Sequence, residues 1–188
     1  AIPADVLGPL VGFRLSGELA GRIDVELDRD ALDATRLDID VDDQCTFDVA
    51  PPEADLTRFE GPFTHEVLEP DGTTFSMETG PGTANWVSYG GISPYIVDAV
   101  ISHEDGAFFR HHGFAPWAIR DAVVRNLREG RYVVGASTIT MQLAKNLFLV
   151  REKTLSRKLE EIVLADYLEQ IFRKDDILEL YLNVVEFG

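Results

Sequence analysis

The sequence predicts an α+β protein: an acidic, antiparallel β-rich region followed by a mostly helical one. Three observations predict it. Residues 1–90 carry 19 acids against 5 bases, whereas residues 91–188 carry 14 against 12. The spacing of apolar residues changes from two to nearly four at about the same place. Between the halves lies METGPGTANWVSYGGISP, residues 77–94, a Gly-, Ser-, Thr- and Pro-rich boundary. The expected division is residues 1–80, an acidic β-rich region to which the sequence assigns no role, and residues 81–188. A chain of 188 residues that is 45% hydrophobic has material for one large core or two small ones.

RIDVELD sets Ile23, Val25 and Leu27 on one face and Asp24, Glu26 and Asp28 on the other. RLDIDVDD repeats this with Leu37, Ile39 and Val41 against Asp38, Asp40 and Asp42. Such alternation marks half-buried antiparallel strands. CTFDV continues the pattern, and HEVLEPDGTTFSM is a hairpin around Pro70, Asp71 and Gly72. The aspartate ladder reads as the wet face of a sheet; a calcium site and a recognition surface are the competing readings. Past the boundary, SPYIVDAVISHED opens a helix with Ser93 as cap and Pro94 at the first turn. APWAIRDAVVRNLREG is a second helix, ending at Gly130. GASTITMQLAKNLFL, TLSRKLEEIVLADYLEQIF and KDDILELYLNVV complete the series.

Composition excludes some functions. The acidic half would repel phosphate backbones, so nucleic acid is not an expected partner. The single cysteine, Cys45, forms no intrachain disulfide. No run of about 18 apolar residues is present to span a bilayer, and there is no signal-peptide pattern. The ends, Ala1 and Gly188, are expected to be cuts from a longer protein.

Three stretches carry candidate chemistry. ISHEDGAFFRHHG gathers three histidines, a glutamate and an aspartate. Ala107 stands where a zincin helix needs its second histidine, and the adjacent His111 and His112 face apart, so the spacing disfavours zinc. Glu104 ends an apolar helix beside Phe108 and Phe109, which is expected to desolvate it and raise its pKa into general-base range; a solvated helix-end glutamate is the competing reading. In GASTITMQLAKN, Ser137 and Thr138 open a helix, an anion-binding arrangement, and Thr138, Gln142 and Lys145 share a face suited to phosphate. A capped amphipathic helix explains it equally. In RKLEEIVLADYLE, Arg157 and Glu161 lie one turn apart with Leu164 and Leu168 on their side and Leu155, Leu159 and Ile162 opposite. This central helix carries either a structural salt bridge or the second half of an active site.

Taken together and in order, these segments resemble the motifs of the peptidoglycan glycosyltransferases, glycosyltransferase family 51. The first motif is matched by Glu104, Asp105, Phe108, His111 and Gly113. The second is matched by Gly135, Ser137, Thr138, Ile139, Thr140, Gln142, Lys145 and Asn146; Met141 stands where a glutamine is common. The third is matched by Arg157, Lys158 and Glu161, and the fourth by Ile177, Leu178, Glu179, Tyr181, Leu182, Asn183 and Gly188. The resemblance covers Trp86 to Gly188, and the family's domain continues past the fourth motif, so the domain is expected to be truncated here.

The resemblance implies a lysozyme-like helical lobe with a membrane-facing jaw, placed at FAPWAIRDAVVRNLREGRYVV. It implies Glu104 as general base and Glu161 as second carboxylate, near the leaving pyrophosphate or its metal ion. Lys145 and Arg157 would neutralise the pyrophosphate, and Ser137, Thr138, Gln142 and Asn146 would line the cleft. Asp105, Phe108, His111, Gly113 and Asn183 would be structural, and His103 and His112 incidental. A magnesium or manganese ion is the implied cofactor, with no organic one. The implied partners are lipid II, the growing glycan strand, the membrane surface and other cell-wall synthesis proteins. The implied location is the outer, periplasmic face of a bacterial inner membrane, with an anchor outside this chain. A lysozyme-like hydrolase or lytic enzyme, and a non-catalytic envelope module, are the competing functions.

Overall fold

The structure is a computed structural model, and it describes residues 10–28, 30–31, 34–69, 71–148 and 155–186. Six strands come first: β1 (Arg14–Ser16), β2 (Leu19–Glu26), β3 (Arg36–Asp43), β4 (Thr46–Val49), β5 (Phe63–Leu68) and β6 (Thr74–Thr79). Five α-helices follow: α1 (Pro94–Glu104), α2 (Pro116–Glu129), α3 (Ile139–Phe148), α4 (Leu155–Ile171) and α5 (Lys174–Val184). The α+β class is thus as expected, with helices and small antiparallel sheets.

The strands form three two-stranded ribbons rather than one sheet: β1 with β4, β2 with β3, and β5 with β6. The β5–β6 hairpin runs in register from Phe63 opposite Thr79 to Leu68 opposite Thr74. Pro70, at its expected turn, lies outside the described residues. The β2–β3 ribbon corrects one expectation. Its alternation is real, with Ile23 opposite Ile39 and Val25 opposite Leu37, but only β3 is partly buried. Leu37 is 8% exposed, whereas Ile23 and Val25 are 66% and 65% exposed. The reason is that α2 packs over β3, whereas every residue of β2 is exposed.

The helices obey their sequence signals. Pro94 and Pro116 occupy first turns, where a missing N–H is harmless. Gly130 ends α2 at φ 62°, a left-handed conformation that favours glycine. In α4, Leu164, Ala165, Tyr167 and Leu168 are buried, but Leu159 is 58% exposed, so the helix is covered on one side rather than all round. The side chain of Leu155 lies outside the described residues.

The core does not stop at residue 80. Ala54, Leu56 and Phe59 join Phe108, Leu143, Leu164, Leu168, Ile177 and Tyr181 in one apolar cluster. Tyr167 of α4 meets the rings of Phe13 and Phe47, each at 5.0 Å. Its hydroxyl donates to the Ala54 carbonyl at 3.1 Å. The His65 ring lies 3.0 Å from the Val184 carbonyl at the end of α5. The boundary segment is held too. Glu179 accepts from the Trp86 indole at 2.8 Å and from the Tyr89 amide at 2.6 Å. Asn183 exchanges hydrogen bonds with the Val87 backbone at 2.8 and 2.9 Å. These bonds fix the start of α1, and so the position of Glu104 at its end.

Candidate active site

The first turn of α3 is the hub. Thr138 precedes it, and its hydroxyl accepts from the Met141 amide at 3.1 Å, a helix cap. The same hydroxyl donates to the Gly113 carbonyl, which ties the first motif to the second. Asp105 accepts from the Ile139 amide at 3.1 Å and sits 3.0 Å from the His111 ring. Both side chains of this pair are almost fully buried. Gly113 takes φ +80°, and a Cβ there would lie 2.9 Å from the Asp166 nitrogen and the Ala165 carbon. Only glycine lets this loop lie against α4. Phe108 is fully buried, with the Lys174 ammonium 4.2 Å from its ring centre. So Asp105, Phe108, His111 and Gly113 form the frame, and Asn183 clasps the boundary segment.

Glu104 stands at the C-terminus of α1, with its side chain 31% exposed. Its Oε2 accepts from the Gln142 amide at 3.0 Å, and Gln142 Oε1 accepts from the Tyr181 hydroxyl at 3.0 Å. His103 Nδ1 lies 2.8 Å from the other oxygen, Oε1. These contacts correct the expected pKa. Glu104 is held below the ordinary glutamate range, first by the Gln142 hydrogen bond and then by that of His103. Burial pulls upward but is outweighed, since the carboxylate is still wetted. His103, expected to be incidental, is therefore a neighbour of the carboxylate. His112 lies away from it, in a bridge with Phe114.

The third motif is paired differently from its spacing. Arg157 bonds Glu160 at i+3, and Lys158 bonds Glu161 at i+3. The Lys158 ammonium also reaches the Ser137 hydroxyl at 2.5 Å. Glu161 is thus tied to the start of α3 through Lys158, not through Arg157. Thr138 is 2% exposed, so it leaves the predicted phosphate-facing row and serves as a cap. Gln142, Lys145 and Asn146 are half-buried on α3, while Met141 is fully buried in the core.

The geometry brings two carboxylates, Glu104 and Glu161, to one helix start, each through a single side-chain link to that segment. The family described as Transglycosylase matches residues 71–188. The chain belongs to that family. It is 44% identical over 123 residues to the biosynthetic peptidoglycan transglycosylase of Nitrosospira multiformis, covering 65% of this chain and 51% of that one. It is 37% identical over 137 residues to penicillin-binding protein 1A/1B of Bacillus subtilis, covering 73% and 15%. Against penicillin-binding protein 1A of Aquifex aeolicus the identity is 48% over 103 residues, covering 55% and 14%. The chain spans about half the length of the transglycosylase relatives it matches. The family match begins at residue 71, within β5–β6 and ahead of the expected boundary.

Sequence reasoning missed four contributors. Lys158 was a motif match without a role, Glu160 was passed over, Tyr181 was a motif match only, and His103 was set aside. Their spacing carried a usable signal. Arg157–Glu160 and Lys158–Glu161 are both i,i+3 pairs, as compatible with a helix surface as the i,i+4 pair that was preferred.

Proposed function

We propose that this chain is the catalytic part of a peptidoglycan glycosyltransferase that joins lipid II units into glycan strands. Glu104, ionised at neutral pH, takes the proton from the 4-hydroxyl of the acceptor sugar. That oxygen attacks the anomeric carbon of the growing strand, the configuration inverts, and polyprenyl pyrophosphate leaves. The observation that carries this reading is the Tyr181–Gln142–Glu104 chain. It holds a carboxylate, charged and half-open to solvent, at the end of a rigid helix.

Charge on the leaving pyrophosphate calls for cations fixed in advance. Lys158, between Ser137 and Glu161, and Lys145 on the outer side of α3 fill that role. Arg157, held by Glu160, contributes a positioned but partly neutralised charge. A magnesium or manganese ion would arrive with the pyrophosphate and take one carboxylate, Glu161. Among the described residues no group of three His, Cys, Asp or Glu side chains is gathered to hold an ion, and Glu161 is already held by Lys158. Trp117 is 41% exposed on α2, the helix that also carries Arg120, Arg125 and Arg128, which suits contact with an anionic lipid surface. No helix among the described residues is long and apolar enough to cross a membrane. The reading places the enzyme at the outer face of a bacterial inner membrane, beside other cell-wall synthesis proteins.

Glu104→Gln in the intact protein tests the mechanism. It keeps volume and removes the base, so glycan polymerisation falls by at least about a hundredfold while the melting curve is unchanged. Normal polymerisation by a folded variant overturns the assignment.

A further inference from the structure

All eight residues of β2 are exposed. The strand pairs with β3 along its whole length without a bulge. Among the described residues its other edge makes no backbone hydrogen bond. In a strand, alternate N–H and C=O groups point outward along such an edge. One face of the edge is apolar: Leu19 is 64% exposed, Ile23 66% and Val25 65%. Sheets guard long edges with proline, bulges, or charges that repel a second strand. β2 has no proline and no register break, and its Arg22 and Asp24 carry opposite charges, paired with each other along the strand at 2.6 Å, with Glu26 beyond them.

The Arg22 and Asp24 pair is self-complementary. In antiparallel pairing about a two-fold axis, the axial residue meets its own copy, and residues equally spaced on either side meet each other. An axis at Arg22 or at Asp24 sets like charges face to face. An axis at Ile23 sets Arg22 against Asp24 twice, Gly21 against Val25 and Ala20 against Glu26, and beyond the strand Leu19 meets Leu27 while Glu18 meets Asp28. We propose that β2 pairs antiparallel with β2 of a second copy of this chain, with the two-fold axis at Ile23, to form a continuous four-stranded sheet.

The helices fit this arrangement. Strands spaced about 4.8 Å apart put the two β3 strands about 14 Å from each other. Each β3 already carries α2. The axis is perpendicular to the sheet, so both helices lie on the same face, and helices pack at about 8–10 Å. They would wall the apolar residues of the paired β2 strands. The net charge of −16 opposes association, but physiological salt screens it beyond about 8 Å, whereas Arg22 and Asp24, paired along one strand, exchange partners across the axis at contact. The proposal is independent of the catalytic reading.

Sedimentation velocity of the 188-residue chain across a concentration series in physiological salt tests it. A monomer–dimer equilibrium is expected. Ile23→Lys, which sets two ammonium groups on the axis, abolishes the dimer. Arg22→Asp alone and Asp24→Arg alone each weaken it about tenfold, and the two together restore it. The positions are exposed, so circular dichroism of every variant stays as in the parent. A monomer at all concentrations overturns the proposal. So does a dimer indifferent to Ile23→Lys, or one that the combined exchange fails to restore.

Discussion

Gln142 shows how one residue can set the state of another. Its amide has two ends, and Tyr181 fixes which end faces Glu104, because the phenol donates to Oε1. The phenol stays protonated: burial, with Glu104 and Asp105 nearby, pushes its pKa up to about 12. The N–H end then stabilises the Glu104 carboxylate and holds its pKa low. A general base works only when ionised, so with Glu104 as the proposed base activity falls as pH drops through its pKa. Gln142→Ala removes the largest lowering contribution, and the acidic limb of kcat/KM therefore moves to higher pH. Tyr181→Phe moves it the same way by freeing the amide to turn. The pH–rate profile of each variant checks this, and an unmoved limb would show that the fork does not tune the base. As a candidate, Glu104 stands out in the sequence, an acid between an apolar helix and two phenylalanines. The direction of its shift does not. Phe109 is 58% exposed, so the expected desolvation is weak, and the donor that outweighs it lies 38 residues away in sequence.

At the scale of elements, helix positions were readable to within a few residues because Pro94, Pro116 and Gly130 punctuate the chain. The role of the α3 start was readable only in part. A Ser-Thr pair at a helix opening fits both an anion site and a cap, and tertiary contacts divide the two residues. Thr138 turns inward to Gly113, and Ser137 reaches Lys158. Thr138→Val keeps the shape but leaves the Met141 amide and the Gly113 carbonyl without their partner, so it destabilises by about 2 kcal/mol. Thr138→Ser restores most of the loss in thermal melts. The outer side of α4 holds a second, pH-dependent cost. Asp166 is raised to about 6, first by burial and then by Asp43 across from it. A raised carboxylate binds a proton more readily folded than unfolded, so its contribution declines as pH rises from about 4 towards 6. Above that range the ionised side chain is a constant penalty. Asp166→Asn then gains about 1 kcal/mol at neutral pH, after allowance for solvent screening, and flattens the melting temperature over the acidic window.

For the whole molecule, the charge split and the change of period suggested two units, yet the packing joins them. Composition reports which residues are wet, not which dry faces meet. The first 60 residues contribute Phe13, Phe47, Ala54, Leu56 and Phe59 to the surroundings of α4 and α5, and no alternation within RIDVELD could announce that. The alternation in β2 misled for the same reason, since a strand pattern states that one face is apolar without saying what covers it. Tyr167 is one place where the two parts are fastened, with two ring contacts and one hydrogen bond to the Ala54 carbonyl. If the core is continuous, amides of β4 and of the middle of α4 open together in native-state hydrogen exchange, with one free energy. Tyr167→Ala removes the shared ring and lowers that free energy by about 3 kcal/mol at both places. Loss confined to β4, with α4 protection unchanged, would mean that the ribbons are an appendage on an independently stable helical lobe.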